Sequence, residues 1–168
     1  MSDNNDMQFK SAWYVWVHDA DTSVWTDASY THIYTINNMQ TFWQFMNNFD
    51  KYDIVKYQYF IFKDSSFPNY EHPTNRNGGK LSIKVNKEKT YEIFEQLCIL
   101  IFNETFTNDH GDINGLQIGF KGNWTLIKIW NSKAVNEQVM LDQLPSYLYK
   151  RYTQPVVNIR YFKNEPEW

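Results

Sequence analysis

Two aromatic residues and one carboxylate have the types and setting for ligand chemistry: Trp25 in "SVWTDAS", and Tyr70 with Glu71 in "KDSSFPNYEHPTNRNGGK". Both stretches are polar and rich in turn formers, so large rings there have no evident core to fill. A pair of loop rings can close on a flat cationic ring from both faces, and an adjacent carboxylate can accept hydrogen bonds from that ring's donor edge. A methylated purine has this shape and charge. Read singly, each residue also has a plainer role: Trp25 as a core ring capping a first hairpin, Tyr70 as packing beneath a long loop, Glu71 as a solvated acid.

Other chemistries find less support. His18, His32, His72 and His110 are scattered, and the acid–histidine grouping "NDHGD" has neither zinc-type spacing nor a nucleophile partner. Gly78-Gly79 lacks the spacing of a phosphate-cradling loop, and no Glu-rich helix could hold a metal. Neither an enzyme nor a bound metal or cofactor is expected. The lone Cys98, in the apolar run "FEQLCILIF", excludes an internal disulfide and reads as a buried thiol. A net charge of -3 argues against a generally basic coat, so an anionic ligand must meet a local positive patch. The start "MSDNNDMQFK" does not resemble a signal peptide and no run suits a membrane span, so a cytoplasmic or nuclear protein is expected.

The elements that must position these residues alternate between two periods. "SAWYVWVHD" reads as a strand with Trp13, Val15 and Val17 on one face and Tyr14 and Trp16 on the other, and "ASYTHIYTI" as a second. After Asn38, a capping residue, Met39, Phe42, Trp43 and Met46 recur at helical spacing. "VKYQYFIFK" returns to period two. The polar segment 64–79 is a long loop, of the kind that in a compact domain is usually functional. "KLSIKV" is a strand, "NKEKTYEIFEQLCILIFNETF" a long amphipathic helix, and "INGLQIGFKGNWTLIKIW" a hairpin turning near Lys121-Gly122-Asn123. A third helix is expected from about Ala134 to Tyr149, then a last strand "PVVNIRYF". The expected architecture is one α+β domain over residues 1–168, with residues 1–8 flexible. Its mainly antiparallel curved sheet of about seven or eight strands carries three helices on the convex face.

The ordered series "AWYVW", Trp25, "TFWQF", "FKDSSFPNYEHPTNRNGGK" and "FKGN…IKIW" resembles eukaryotic translation initiation factor 4E over roughly Phe9 to Phe162. The resemblance implies a protein that binds the 7-methylguanosine cap of messenger RNA in a slot on the concave side of the sheet. Trp25 matches the first stacking tryptophan, Tyr70 stands where the family usually has the second, and Glu71 matches the carboxylate that reads guanine. The phosphate end departs from the pattern. Gly119 occupies the position of an Arg, Lys121 keeps the middle Lys, and Trp124 lies near the tip of a longer turn, where contact with the first transcribed nucleotide is one reading. Lys80, Lys128, Arg160 and Lys163 are the candidates to compensate, of which Lys80 matches a basic position of the family.

A second implied surface takes an amphipathic helix of a 4G-like scaffold or a 4E-binding repressor. It comprises Met39 and Trp43 on the first helix and Ile99, Leu100 and Asn103 on the second. Two departures bear on it: Met7-Gln8-Phe9 replaces the family's His-Pro motif, and Gln96 stands where an acidic residue is usual. The resemblance also implies a basic loop and a further strand beyond Phe162, a region expected to be truncated here. Recruitment of capped messages to translation initiation is the function implied. The alternatives are a cap-binding competitor or repressor, and an interaction module that keeps the fold without the cap.

Overall fold

A computed structural model describes residues 7–148 and 156–164. The chain runs β1 (Gln8–Asp19), β2 (Thr31–Asn38), α1 (Met39–Asn47), β3 (Tyr57–Lys63), β4 (Gly79–Asn86), α2 (Thr90–Phe102), β5 (Ile113–Lys121), β6 (Trp124–Asn131), α3 (Glu137–Leu141) and β7 (Val156–Lys163). The strands form one curved open sheet in the order β2-β1-β3-β5-β6-β4-β7, with every pairing antiparallel. Successive side chains of a strand point to opposite faces, and the two faces differ in chemistry.

One face is apolar. Trp13 and Val15 of β1, Ile61 of β3, Leu81, Ile83 and Val85 of β4, Leu116 and Ile118 of β5, and Ile127 and Ile129 of β6 are all buried in one cluster. Phe42, Phe45 and Met46 of α1, Ile93, Phe94, Leu97 and Cys98 of α2, and Met140 of α3 close over them. Each such side chain contributes about 1.5–3 kcal/mol relative to an exposed one. This burial fixes which face the helices cover, because a one-residue slip would turn every apolar side chain outward.

Helix boundaries follow local chemistry. Asn38 caps α1, its side chain accepting from the Thr41 N–H at 2.7 Å while the Asn38 N–H donates to the Thr41 hydroxyl at 3.1 Å. α2 is shorter than its sequence pattern: residues 87–89 form a 3-10 turn, and Glu104 adopts a left-handed φ of 56° just beyond the C-terminal end. The expected third helix over 134–149 is corrected most. α3 covers only Glu137–Leu141, and a separate 3-10 turn spans Ser146–Leu148. Pro145 lies between them; it has no N–H to donate and disfavours helical geometry in the residue before it. Tyr149 lies outside the described residues, as does most of the segment 1–8 expected to be flexible; Gln8 already belongs to β1.

The β5–β6 hairpin turns at Gly122-Asn123, flanked by the pair Lys121 and Trp124. Gly122 has φ of 61° and Asn123 has no positive φ, which is the pattern of a type II′ turn. Gly78, which leads into β4, is required for a different reason: a Cβ there would lie 1.7 Å from the Asn131 carbonyl oxygen. Gly78→Ala is therefore expected to destabilise the fold by at least about 1–3 kcal/mol, read as a lowered urea midpoint with an unchanged m-value.

Candidate functional site

The helix-free face is aromatic at one end and cationic at the other. Register neighbours across it run from Trp16 on β1 to Phe60 on β3, Gln117 on β5, Lys128 on β6, Ser82 on β4 and Arg160 on β7. Phe60, Phe62 and Trp130 form a small second core on this side, against which Trp16 and Tyr30 pack. Two loops rise beside that aromatic floor, one carrying Trp25 and the other Tyr70.

Trp25 and Tyr70 line the same slot, of about 270 Å³, together with Tyr30, Phe60, Lys80 and Trp130. Both rings are largely open to solvent, at 49% and 41%. Trp25 is not free on both sides, however. The buried imidazole of His18 stacks on it at 3.7 Å between centroids and 2° between planes. Both His18 ring nitrogens stand at hydrogen-bond distance from carbonyl oxygens, 2.8 Å to Asp19 and 2.9 Å to Val24. The stack thus ties the Trp25 ring to the end of β1. His18 was read from sequence only as a scattered histidine.

The Tyr70 loop is held by a buried asparagine. Asn75 is fully buried and donates to the carbonyl oxygens of Phe67 at 2.6 Å and Asn69 at 2.8 Å. Its own side-chain oxygen accepts from Asn114 on β5 at 2.8 Å, and its main-chain oxygen from Asn164 at 3.0 Å. Asn69 joins the two loops directly, donating to Asp27 at 3.1 Å. It also accepts from the Glu71 N–H at 2.9 Å. The Glu71 carboxylate is exposed and has no hydrogen-bond partner among the described residues. It does not line the slot itself.

Below the slot opens a groove of about 520 Å³ whose walls include Lys80, Lys84, Lys121, Lys128 and Arg160. Lys80 and Lys128 line the slot as well, so the two spaces adjoin. Four of these five cations were candidates from sequence; Lys84 was not, although it alternates with Ser82 and Lys80 along β4. Gly119 opens onto a smaller adjoining space of about 290 Å³, beside Gln58 and Gln117. Gln117 donates to Gln58 at 2.7 Å and accepts from the Trp130 indole at 3.3 Å. Trp124 shares the helix-free face, and the Lys84 ammonium sits over its ring at 4.9 Å. Lys163 does not join the groove. It pairs with Gly79 on the opposite face of the sheet and lines a shallow space near Asn136 and Glu137.

Burial pushes the Lys80 ammonium down to about 8, helped by the charge of Lys128. Lys128 is lowered for the same reasons, by burial and then by Lys121. Among the described residues none of the five groove cations is in an ion pair with a carboxylate.

The surface over α1 and α2 is a separate feature. Phe42 turns inward and meets Phe102 of α2 at 5.7 Å, whereas its neighbour Trp43 is 37% exposed. Met39, Ile99 and Leu100 are partly buried against the core, and Asn103 is exposed at the end of α2. Gln96 accepts a hydrogen bond from the Tyr147 hydroxyl.

A family profile described as "Eukaryotic initiation factor 4E" matches residues 8–165. Two similar relatives are from Caenorhabditis elegans. Eukaryotic translation initiation factor 4E-5 is 24% identical over 90% of this chain and 82% of its own length. Eukaryotic translation initiation factor 4E-1 is 26% identical over 93% and 80%. Among solved structures, Ascaris suum eIF4E-3 with m2,2,7G cap superposes with a TM-score of 0.74 at 20% identity, covering 96% of this chain and 93% of that one. The complex of C. elegans eIF4E-3 with the 4E-binding protein Mextli and cap analog gives 0.75 at 18% identity, covering 93% and 91%.

The lowered Lys80 has a measurable consequence. The ammonium is charged below about 8 and neutral above, so its attraction for an anion is present on the acid side and lost as the pH rises. Affinity for inorganic tripolyphosphate, followed by calorimetry, is expected to fall most steeply near pH 8. In Lys80→Arg, whose side chain does not titrate there, that step should vanish.

Proposed function

Since the chain belongs to the eukaryotic initiation factor 4E family, we propose that it binds the 7-methylguanosine cap of messenger RNA and recruits capped messages to translation initiation. The observation that carries this reading is that Trp25 and Tyr70, 45 positions apart in sequence, line one slot that adjoins a groove of cations without carboxylate partners among the described residues. Methylation at N7 makes guanine cationic, so a base between the two rings gains a cation–π contribution beyond ordinary stacking. Stacking is worth about 1–3 kcal/mol per base, and the cationic part about 1–2 kcal/mol when desolvated.

Guanine presents N1–H and N2–H as a fork that the Glu71 carboxylate can accept in bidentate fashion, a pairing adenine cannot offer. The Tyr70 N–H, without a partner among the described residues, is the donor for guanine O6. Lys80, Lys121, Lys128 and Arg160 receive the phosphates in place of the Arg absent at Gly119. Trp124 lies toward the next nucleotide, with one face already engaged by Lys84. No group in this arrangement performs chemistry on the ligand; the role is binding, in the cytoplasm, without cofactor or metal.

The partner surface follows from the same membership. Trp43, Met39, Ile99, Leu100 and Asn103 offer an exposed indole and aliphatic anchors for the amphipathic helix of a 4G-like scaffold or a 4E-binding protein. The relative from C. elegans was solved with the 4E-binding protein Mextli. Gln96, lacking the family's charge and held by Tyr147, favours a partner set narrower than usual. A repressor that holds the cap without assembling an initiation complex is therefore the second reading.

Retention on a 7-methyl-GTP resin, with elution by 7-methyl-GTP and not by GTP, is the expected result; elution by both equally would defeat the reading. Trp25→Ala and Tyr70→Ala should each weaken 7-methyl-GTP binding by about 5–150-fold, the range that one lost stack implies. Trp43→Ala should abolish capture of a 4G-type helical peptide while leaving resin binding intact. Failure of the wild type to capture any such peptide would favour the repressor.

A further inference from the structure

The basic groove reaches across to β7, where its wall is aromatic. Along the β4–β7 pairing, Lys80 is beside Phe162, Ser82 beside Arg160 and Lys84 beside Asn158, all on the helix-free face. β7 is the edge strand there. Phe162 lines the groove and is 56% exposed, more than any other aromatic side chain among the described residues. No described ring or cation packs on it. Trp124, also on this face, is already covered by the Lys84 ammonium at 4.9 Å, and Trp130 by the Lys80 ammonium at 4.4 Å.

The charge of the groove is equally one-sided. Among the described residues five cations line it and no carboxylate does, on a chain whose net charge is -3. Lys80 and Lys128 each feel a neighbouring cation as well as burial. An occupant with regularly spaced negative charge would relieve that repulsion, and one with flat rings would cover Phe162. Cationic grooves with exposed aromatic platforms suit single-stranded nucleic acid, because every base has a face to stack and every linkage a charge. An acidic protein segment meets the charge but has no comparable use for the ring.

We infer that the groove bounded by Lys84, Arg160 and Phe162 is a binding track for the single-stranded RNA that follows the cap, with one base stacked on Phe162. The inference rests on the slot taking the cap, since Lys80 and Lys128 are shared by both spaces and hand the phosphate chain from one to the other. Such a protein reads a capped end together with the first few nucleotides.

The test compares 7-methyl-GTP, a short unstructured capped oligoribonucleotide, and the same oligonucleotide carrying an uncapped 5′-triphosphate, by fluorescence anisotropy and competition. The capped oligonucleotide is expected to bind at least about tenfold more tightly than 7-methyl-GTP. Phe162→Ala should remove most of that gain without changing 7-methyl-GTP affinity, and Phe162→Trp, which keeps a stacking face, should retain it. Lys84→Gln should reduce the slope of log affinity against log salt for the oligonucleotide by about 0.7, one phosphate contact on a single strand. Equal affinity for oligonucleotide and 7-methyl-GTP, or a gain that survives Phe162→Ala, would overturn the inference, as would equally effective competition by an acidic peptide. Loss of 7-methyl-GTP binding in the wild type, with Phe162-dependent binding of the uncapped oligonucleotide intact, would remove the cap reading and leave the track standing.

Discussion

Strict alternation in an all-antiparallel sheet, with one face sealed by helices, is the constraint from which the rest of this molecule follows. Leu81, Ile83 and Val85 must face α1 and α2, so Lys80, Ser82 and Lys84 must face the other way. The same parity on β6 turns Ile127 and Ile129 inward and Lys128 and Trp130 outward. Hydrophobic burial on one side thereby determines a pattern of cations and aromatics on the other, without any attraction among those cations. Their mutual repulsion is tolerated because the energy that fixes the register lies on the opposite face.

Loops need another device, since their backbone groups have no ladder to satisfy them. Around Tyr70 the device is Asn75. Its fully buried side-chain amide donates to the carbonyls of Phe67 and Asn69 and accepts from Asn114, while its main-chain oxygen accepts from Asn164. A buried amide left without such partners would be costly, so the network is all-or-nothing. Through Asn69 it reaches Asp27 in the loop that carries Trp25. The two loops are joined by this polar contact, while the Trp25 ring itself is held by its stack on His18.

Much of this was legible in the residues themselves. The Asn38 cap and the spacing of Met39, Phe42 and Met46 announced α1, and the polar setting of Trp25 and Tyr70 marked the slot. Residue parity would have excluded Lys163 from the groove: it is three positions from Arg160 on one strand and so on the other face. It would also have added Lys84, two positions from Ser82. The partnership of Gln117 with Gln58 was not readable, because it needs β3 and β5 to be neighbours across an intervening strand and helix. Asn75 was hidden for a similar reason, its partners Asn114 and Asn164 lying far along the chain. The expected third helix overruns α3 because it runs across Pro145, which separates α3 from the 3-10 turn.

His18 beneath Trp25 divides the slot into unequal halves. An indole already clamped by a parallel imidazole has little freedom left to lose, so that wall is pre-organised. Tyr70 has no ring stacked upon it among the described residues; its neighbour is the Lys80 ammonium, 5.8 Å from the ring centre. Under the proposed cap binding, the ordering would therefore fall mainly on the Tyr70 side. The Trp25 face would be the landing surface and the Tyr70 ring the latch, with residence time set by the smaller, looser aromatic.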